Sequence, residues 1–277
     1  MKDRTNLRRA IARTPFARAA VFPTRLGQVG RYNAKLLGTS VKWLFSSREH
    51  TNFTYDLSNR NLNHLAWYVA TVCDAPIREV RLWAQELVRN EELRTHIATR
   101  TAEVARGRLG DRTARYARRI GWYAMIRARK PKHVVETGVD KGLGTLVIAA
   151  ALLRNAEEGH PGRVTSMDIN PEAGYLVRPP WSEVVDLVIG DSQQSITELT
   201  TPVDLFLHDS DHAPERERGE FEKVEPMLAP GALLLTDNVN ATDVLAQYAE
   251  RTGRRFLAFT EQPRKHWFPG DGIGAAW

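Results

Sequence analysis

The apolar positions of this 277-residue chain change period near residue 133. Before that point they recur at three- and four-residue spacing, the mark of amphipathic helices. Residues 1–50 are basic and interrupted by Pro15, Pro23, Gly27, Gly30 and Gly38, which predicts an irregular arm with short helical pieces. Asn61 is placed to cap a helix through Cys73, with Leu62, Leu65, Ala66 and Val69 on one face. Asp74 then caps a second helix with Pro76 in its first turn, along which Ile77, Val80, Trp83, Ala84 and Leu87 recur. Asn90 caps a third, from Glu91 to about Arg106, stopped by Gly107 and Gly110. A fourth is expected from Arg112 to Arg129, carrying Tyr116, Ile120, Tyr123 and Ile126 as its stripe, and Lys130-Pro131 ends it.

From His133 onward, short apolar runs alternate with helical patterns, which predicts a parallel sheet with crossover helices. Strands are expected at 133–137, 163–168, 184–189, 203–208, 231–236, 254–259 and 272–277. Helices are expected at 143–155, 192–199, 214–228 and 240–251. Only Glu261 to Asp271 separates the last two strands, so these should pair antiparallel. The chain thus divides into a basic arm (1–60), a helical extension that caps a substrate site (61–130) and an α/β domain (131–277).

The run Val134-Val135-Glu136-Thr137-Gly138-Val139-Asp140-Lys141-Gly142-Leu143-Gly144-Thr145 carries the clearest chemistry. A strand ends at an acid, a glycine turn lets a ligand approach the backbone, and a helix begins, as where α/β sheets bind nucleotide-like cofactors. The spacing G-x-x-x-G-x-G differs from the dinucleotide fingerprint and counts against a nicotinamide enzyme. Three more strand ends carry acids. Asp168 follows Val164-Thr165-Ser166-Met167; it can accept both ribose hydroxyls, or it is a turn or capping residue. Asp191 and Ser192 end the third strand as adenine contacts or as a helix N-cap. His208-Asp209-Ser210-Asp211-His212 ends the fourth and Asp237-Asn238 the fifth. Asp209, Asp237 and Asn238 offer three hard oxygen donors, a set that suits Mg²⁺.

These motifs are similar to those of class I S-adenosylmethionine (SAM) methyltransferases. The segment Asp204–His212, with Leu228-Ala229-Pro230-Gly231 and Asp237-Asn238-Val239, resembles the cation-dependent, catechol-type O-methyltransferases and their bacterial relatives. The resemblance covers about residues 133–277. It implies a Rossmann-like seven-stranded methyltransferase sheet, five parallel strands plus a C-terminal antiparallel hairpin, behind an N-terminal helical extension. It implies SAM held by Glu136, Thr137, Gly138, Gly142, Gly144, Thr145, Asp168, Asp191, Ser192 and Asp209, and Mg²⁺ held by Asp209, Asp237 and Asn238. Asp209 and His212 are the implied catalytic pair. His212 stands where the catechol enzymes have a lysine base, which weakens the case for a catechol substrate and retains a base. The implied reaction is transfer of a methyl group to a hydroxyl of a small molecule, such as a natural product, phenol or sugar. Metal-independent methyltransferases carry acids at the same strand ends, so that alternative stays open.

Charge adds a second consideration. The net +6 divides into +17 over residues 1–133 and −11 over 134–277. The basic half can lie on the acidic domain, or face nucleic acid, an anionic membrane or an anionic substrate. Base-methylating enzymes carry Asn/Asp-Pro-Pro-aromatic after strand four to hold an unstacked base; His208-Asp209-Ser210-Asp211 argues against them, while RNA ribose methylation passes that test. The N-terminal helices either cap the cleft or form a homodimer surface. The single cysteine, Cys73, excludes an internal disulfide and a thiolate metal cluster, and a reducing cytoplasm is the simplest compartment. No apolar run reaches the ~20 residues of a membrane span, and the Arg-rich N-terminus lacks the apolar stretch of a secretory signal.

Overall fold

Residues 17–49, 53–104 and 110–277 are described in a computed structural model. They form two units: the N-terminal segment to Ser47 with Lys265–Phe268, and Arg48–Arg264 with Pro269–Trp277.

The first unit is built on α1 (Ala17–Ser46). Pro23 and three glycines predict broken pieces, yet the helix runs unbroken for 30 residues. Pro23, its seventh residue, costs about 3 kcal/mol through a lost backbone bond and a ring clash, and each interior glycine costs about 1 kcal/mol. Trp43 meets the rings of His266 and Trp267 edge-on, at 5.8 and 5.5 Å.

In the second unit, α2 (Asn59–Cys73), α3 (Ile77–Val88) and α4 (Glu91–Glu103) correspond to the first three helices expected from periodicity. The caps differ in part. Ser58, not Asn61, caps α2 by accepting from the Asn61 N–H. Asn61 is buried and its amide instead bonds Thr260 O and Gln262 N, tying α2 to the C-terminal hairpin. Asp74 closes α2 in a left-handed conformation rather than opening α3. Asn90 caps α4 as expected; the helix ends at Glu103, where Val104 is extended, short of the end expected near Arg106. Arg106 and Gly107 themselves lie outside the described residues. The fourth helix is shorter than expected: α5 spans Arg119–Arg129, because Ala117 at φ +47° turns the chain out of helix just before it.

The sheet comprises β1 (His133–Thr137), β2 (Arg163–Asp168), β3 (Val185–Ile189), β4 (Val203–His208), β5 (Leu228–Asp237), β6 (Phe256–Thr260) and β7 (Gly272–Ala276). Their order is β3-β2-β1-β4-β5-β7-β6, with the first five parallel and β7 antiparallel to both neighbours. The crossover helices are α6 (Leu143–Glu157), α7 (Pro214–Val224) and α8 (Val244–Thr252). β1 and most of β4 and β5 are buried on both faces, as expected of central strands under helical layers. On one face, Phe221 of α7 and Val244, Leu245 and Tyr248 of α8 pack on Val135, Phe206 and Leu234.

Register positions the chemistry. Thr137 pairs with His208, and His208 with Thr236, so β1, β4 and β5 end level. The next residues along β4 and β5 are Asp209 and Asp237, which therefore emerge side by side at the carboxyl edge.

Candidate active site at the carboxyl edge of the sheet

A cleft of ≈ 400 Å³ opens at that edge, within the range of small-molecule sites. It is lined by Gly138–Lys141 after β1, Asp168 and Ile169 after β2, Gly190–Ser192 after β3, Asp209–His212 after β4, and Asp237 and Asn238 after β5. Arg118 and Arg119 complete the wall.

Gly138 is dictated by close approach. Its φ is +85°, and a Cβ there would stand 2.0 Å from the Asp209 carbonyl oxygen. The β1 and β4 loops touch only because this position has no side chain. Asp168 organises the same floor. One carboxylate oxygen accepts the Val139 and Asp140 N–H groups, each at 2.8 Å, and the other accepts the Asn170 N–H at 2.8 Å. It thus lines the cleft where a ribose contact is expected, and also holds two loops in shape.

Four expected cofactor contacts lie off the cleft lining. Glu136, Thr137 and Thr145 are fully buried behind the cleft wall, and Gly142 is absent from its lining. Glu136 accepts the hydroxyls of Thr145 and Ser166, at 2.6 and 2.7 Å. Burial raises its pKa to about 7 against these two hydrogen bonds, and its second oxygen has no hydrogen-bond partner among the described residues. Gly142 opens α6 in a left-handed conformation. Gly144 does line the cleft; its missing Cβ leaves room for the Glu136 carboxylate, which would otherwise lie 2.6 Å away. Ser192 lines the cleft but turns its hydroxyl inward to Glu220, at 2.5 Å. Asp191 caps the turn after β3 and pairs with Arg216 at 2.6 Å.

Behind the β4 end lies a polar knot that sequence reading did not anticipate. Glu220 of α7 is fully buried. It accepts hydrogen bonds from Thr137, Ser192 and Ser210 and from His208 Nδ1, at 2.5–2.8 Å. Burial works to raise its pKa, but the His208 bond and charge and the Ser192 and Thr137 hydroxyls hold it below the usual range. This explains His208, a strand-end imidazole with no role assigned from sequence. Asp211 accepts the N–H of Ala213, the N-cap residue of α7, at 3.1 Å.

The residue sequence reading missed altogether is Arg118. Its guanidinium donates from Nε and Nη2 to both oxygens of Asp237, and from Nη2 to Asn238 Oδ1 at 2.9 Å. Its Nη1 donates to Glu261 at 3.0 Å, and its backbone N–H to the same carboxylate at 2.9 Å. Glu261 is braced in turn by the Tyr55 hydroxyl at 2.6 Å. The fork-on-fork geometry is the strong form of the Arg–carboxylate pair. Burial pushes the Asp237 pKa up, but the Arg118 charge and hydrogen bonds bring it below the usual range. Asp209, its neighbour, is pushed well above that range by burial and then by the Asp237 charge. Arg119 stands 3.9 Å from Asp209 and lies over the Trp122 ring.

Asp209, His212 and Asp237 bring ligand atoms within 4.8 Å of one another, the spacing of a cation site. The expected Mg²⁺ set nevertheless does not fit. Both oxygens of Asp237 and the carbonyl oxygen of Asn238 already accept from Arg118, so two of the three expected ligands face a guanidinium. A divalent ion could reach those oxygens only by displacing the guanidinium, which is held from its other side by Glu261. Because Arg118 can only donate, Asn238 Oδ1 is its acceptor and Nδ2 is left to donate to His212 Nε2, at 2.7 Å. His212 therefore carries its proton on Nδ1. Burial lowers its pKa, so the ring is a neutral acceptor at pH 7.

The strand order 3-2-1-4-5-7-6, with the cleft beside the point where the β1 connection reverses, defines a class I methyltransferase fold. Residues 135–239 match the family model described as a methyltransferase domain. The fold is similar to that of a methyltransferase from Geobacter sulfurreducens (19% identity, 65% of this chain and 88% of that one, TM-score 0.49). It is also similar to the O-methyltransferase TomG from Streptomyces achromogenes, solved with SAM (19%, 56% and 76%, TM-score 0.45). A third is the Bacillus cereus O-methyltransferase, solved with SAH (17%, 77% and 96%, TM-score 0.45). No curated protein sequence matches the chain.

Proposed function

We propose that the protein transfers a methyl group from SAM to a hydroxyl of a small molecule, with His212 as general base and without a divalent metal. The observation that carries this reading is the neutral His212 on the cleft wall, beside an Asp237–Asn238 pair already neutralised by Arg118. SAM supplies a methyl group activated by its sulfonium. The cleft suits it: Gly138 leaves the backbone open, Asp168 offers acceptors for ribose hydroxyls, and Gly190–Ser192 can border the adenine. His212 Nε2 is the lone pair available to take the acceptor's proton once the Asn238 amide yields it. Arg118 fixes Asn238 and, through it, the tautomer of His212.

The test is methyl transfer to phenol, sugar and natural-product hydroxyls by protein treated with EDTA. Turnover on an oxygen acceptor is expected to persist without added metal. His212→Gln should lower it by about 10²–10⁴-fold with little change in SAM affinity. Turnover restored only by Mg²⁺ would return the site to the cation reading. Methylation of RNA ribose in place of small molecules would replace the substrate class.

A further inference from the structure

Helix α1 has a composition of its own. At 30 residues it is about 45 Å long. Every residue from Val21 to Gly38 is exposed, including Phe22 at 59% and Tyr32 at 79%; near its end Phe45 is 88% exposed. Helical spacing gathers Phe22, Leu26, Val29, Leu36, Leu37 and Leu44 on one face. Arg31, Lys35 and Lys42 occupy the opposite face, and Arg18 and Arg25 flank the apolar one. The helix has five cationic residues and no acidic one.

A helix with this much apolar surface in water needs a cover, because most helical stability comes from packing an amphipathic face. We propose that α1 is a surface anchor that lies in the headgroup region of an anionic membrane, its Phe/Leu face in the acyl boundary. Charge selects this occupant. A second copy of α1 would bring a second all-cationic helix alongside the first, with no acid to offset it. A nucleic acid would satisfy the cations and leave the large aliphatic face in water. An anionic lipid surface satisfies both faces at once. No described helix is long and apolar enough to cross the bilayer, so α1 would lie in its plane. Methylation would then take place beside a membrane, where hydroxyl acceptors that partition into lipid are concentrated.

The experiment is sedimentation of the full-length protein with phosphatidylcholine vesicles, with and without phosphatidylglycerol, at low and high salt. Partitioning at least about tenfold in favour of the anionic vesicles is expected, weakened by salt. The double variant Leu26→Glu, Leu37→Glu should lose it while its SAM binding and melting stay unchanged. Equal partitioning onto neutral vesicles, no partitioning, or binding that survives the double substitution would overturn the proposal. So would a stable dimer, seen by light scattering, that the same substitutions dissociate; the second copy would then be the occupant. Failure of any of these leaves the methyl-transfer reading intact, because that reading is argued from residues of the other unit.

Discussion

Glu136 illustrates how an expected site residue can be essential in another way. It sits at the end of β1, where the motif places an acid, yet it is buried and bonded to Thr145 and Ser166. Its pKa is raised from 4.5 to about 7, chiefly by burial. The folded state therefore holds this proton more tightly than the unfolded chain. Its stabilising effect is complete below pH 4.5 and is lost as pH rises through about 7. Glu136→Gln keeps the shape and removes the charge. The variant should be more stable than wild type at pH 8 by on the order of 3 kcal/mol and nearly equal to it at pH 5. Urea unfolding at the two pH values measures this; an equal difference at both would mean that Glu136 stays ionised. Arg118 is the converse case, a residue with no motif around it. The only local signals are the run of four arginines among Arg112, Arg115, Arg118 and Arg119, and these do not distinguish one arginine from another. Its partners lie 119 and 143 positions away, and a left-handed Ala117 aims it at them.

At the scale of elements, one carboxylate joins four of them. Glu220 links α7 to the β1 end through Thr137, the turn after β3 through Ser192, and the β4 end through His208 and Ser210. Removing it leaves four donors, three of them buried, without this acceptor. Glu220→Ala should cost about 3–5 kcal/mol, and Glu220→Gln less, since the amide retains one acceptor. Chemical denaturation tests this, and a loss below about 1 kcal/mol would mean that water replaces the carboxylate. The strands themselves were legible from the sequence. Short apolar runs bounded by turn residues register their period within a few positions, and all seven fall near the expected places. Helix limits were less legible. Pro23 and the glycines of α1 signal breaks that one long helix absorbs, and the expected helix from Arg112 begins only at Arg119.

For the whole molecule, the cleft and its loops predict strong coupling between ligand and stability. SAM at a hundredfold excess over its dissociation constant should stabilise the unit of Arg48–Arg264 and Pro269–Trp277 by about 2.7 kcal/mol. For a domain of this size that is a rise of roughly 5–10 °C in melting temperature. Calorimetry with and without SAM, each repeated with EDTA, reads it directly. An unchanged melting temperature would remove Asp168 and Gly138 from a cofactor role, and a shift abolished by EDTA would restore a metal to the site.

By itself the sequence determined the alternation of strand and helix, the antiparallel hairpin at its end, and the acids that close successive strands. Each rests on contacts or periods spanning a few residues, so the local pattern suffices. Only the tertiary structure decided what those acids face. Glu136 turns into the core, Asp168 ties two loops, and Asp237 meets an arginine rather than leaving its oxygens open for a cation. Ion pairs of this kind depend on which distant side chains arrive within about 3 Å of one another. That is set by sheet register and by a single left-handed residue, and neither leaves a periodic trace in the chain.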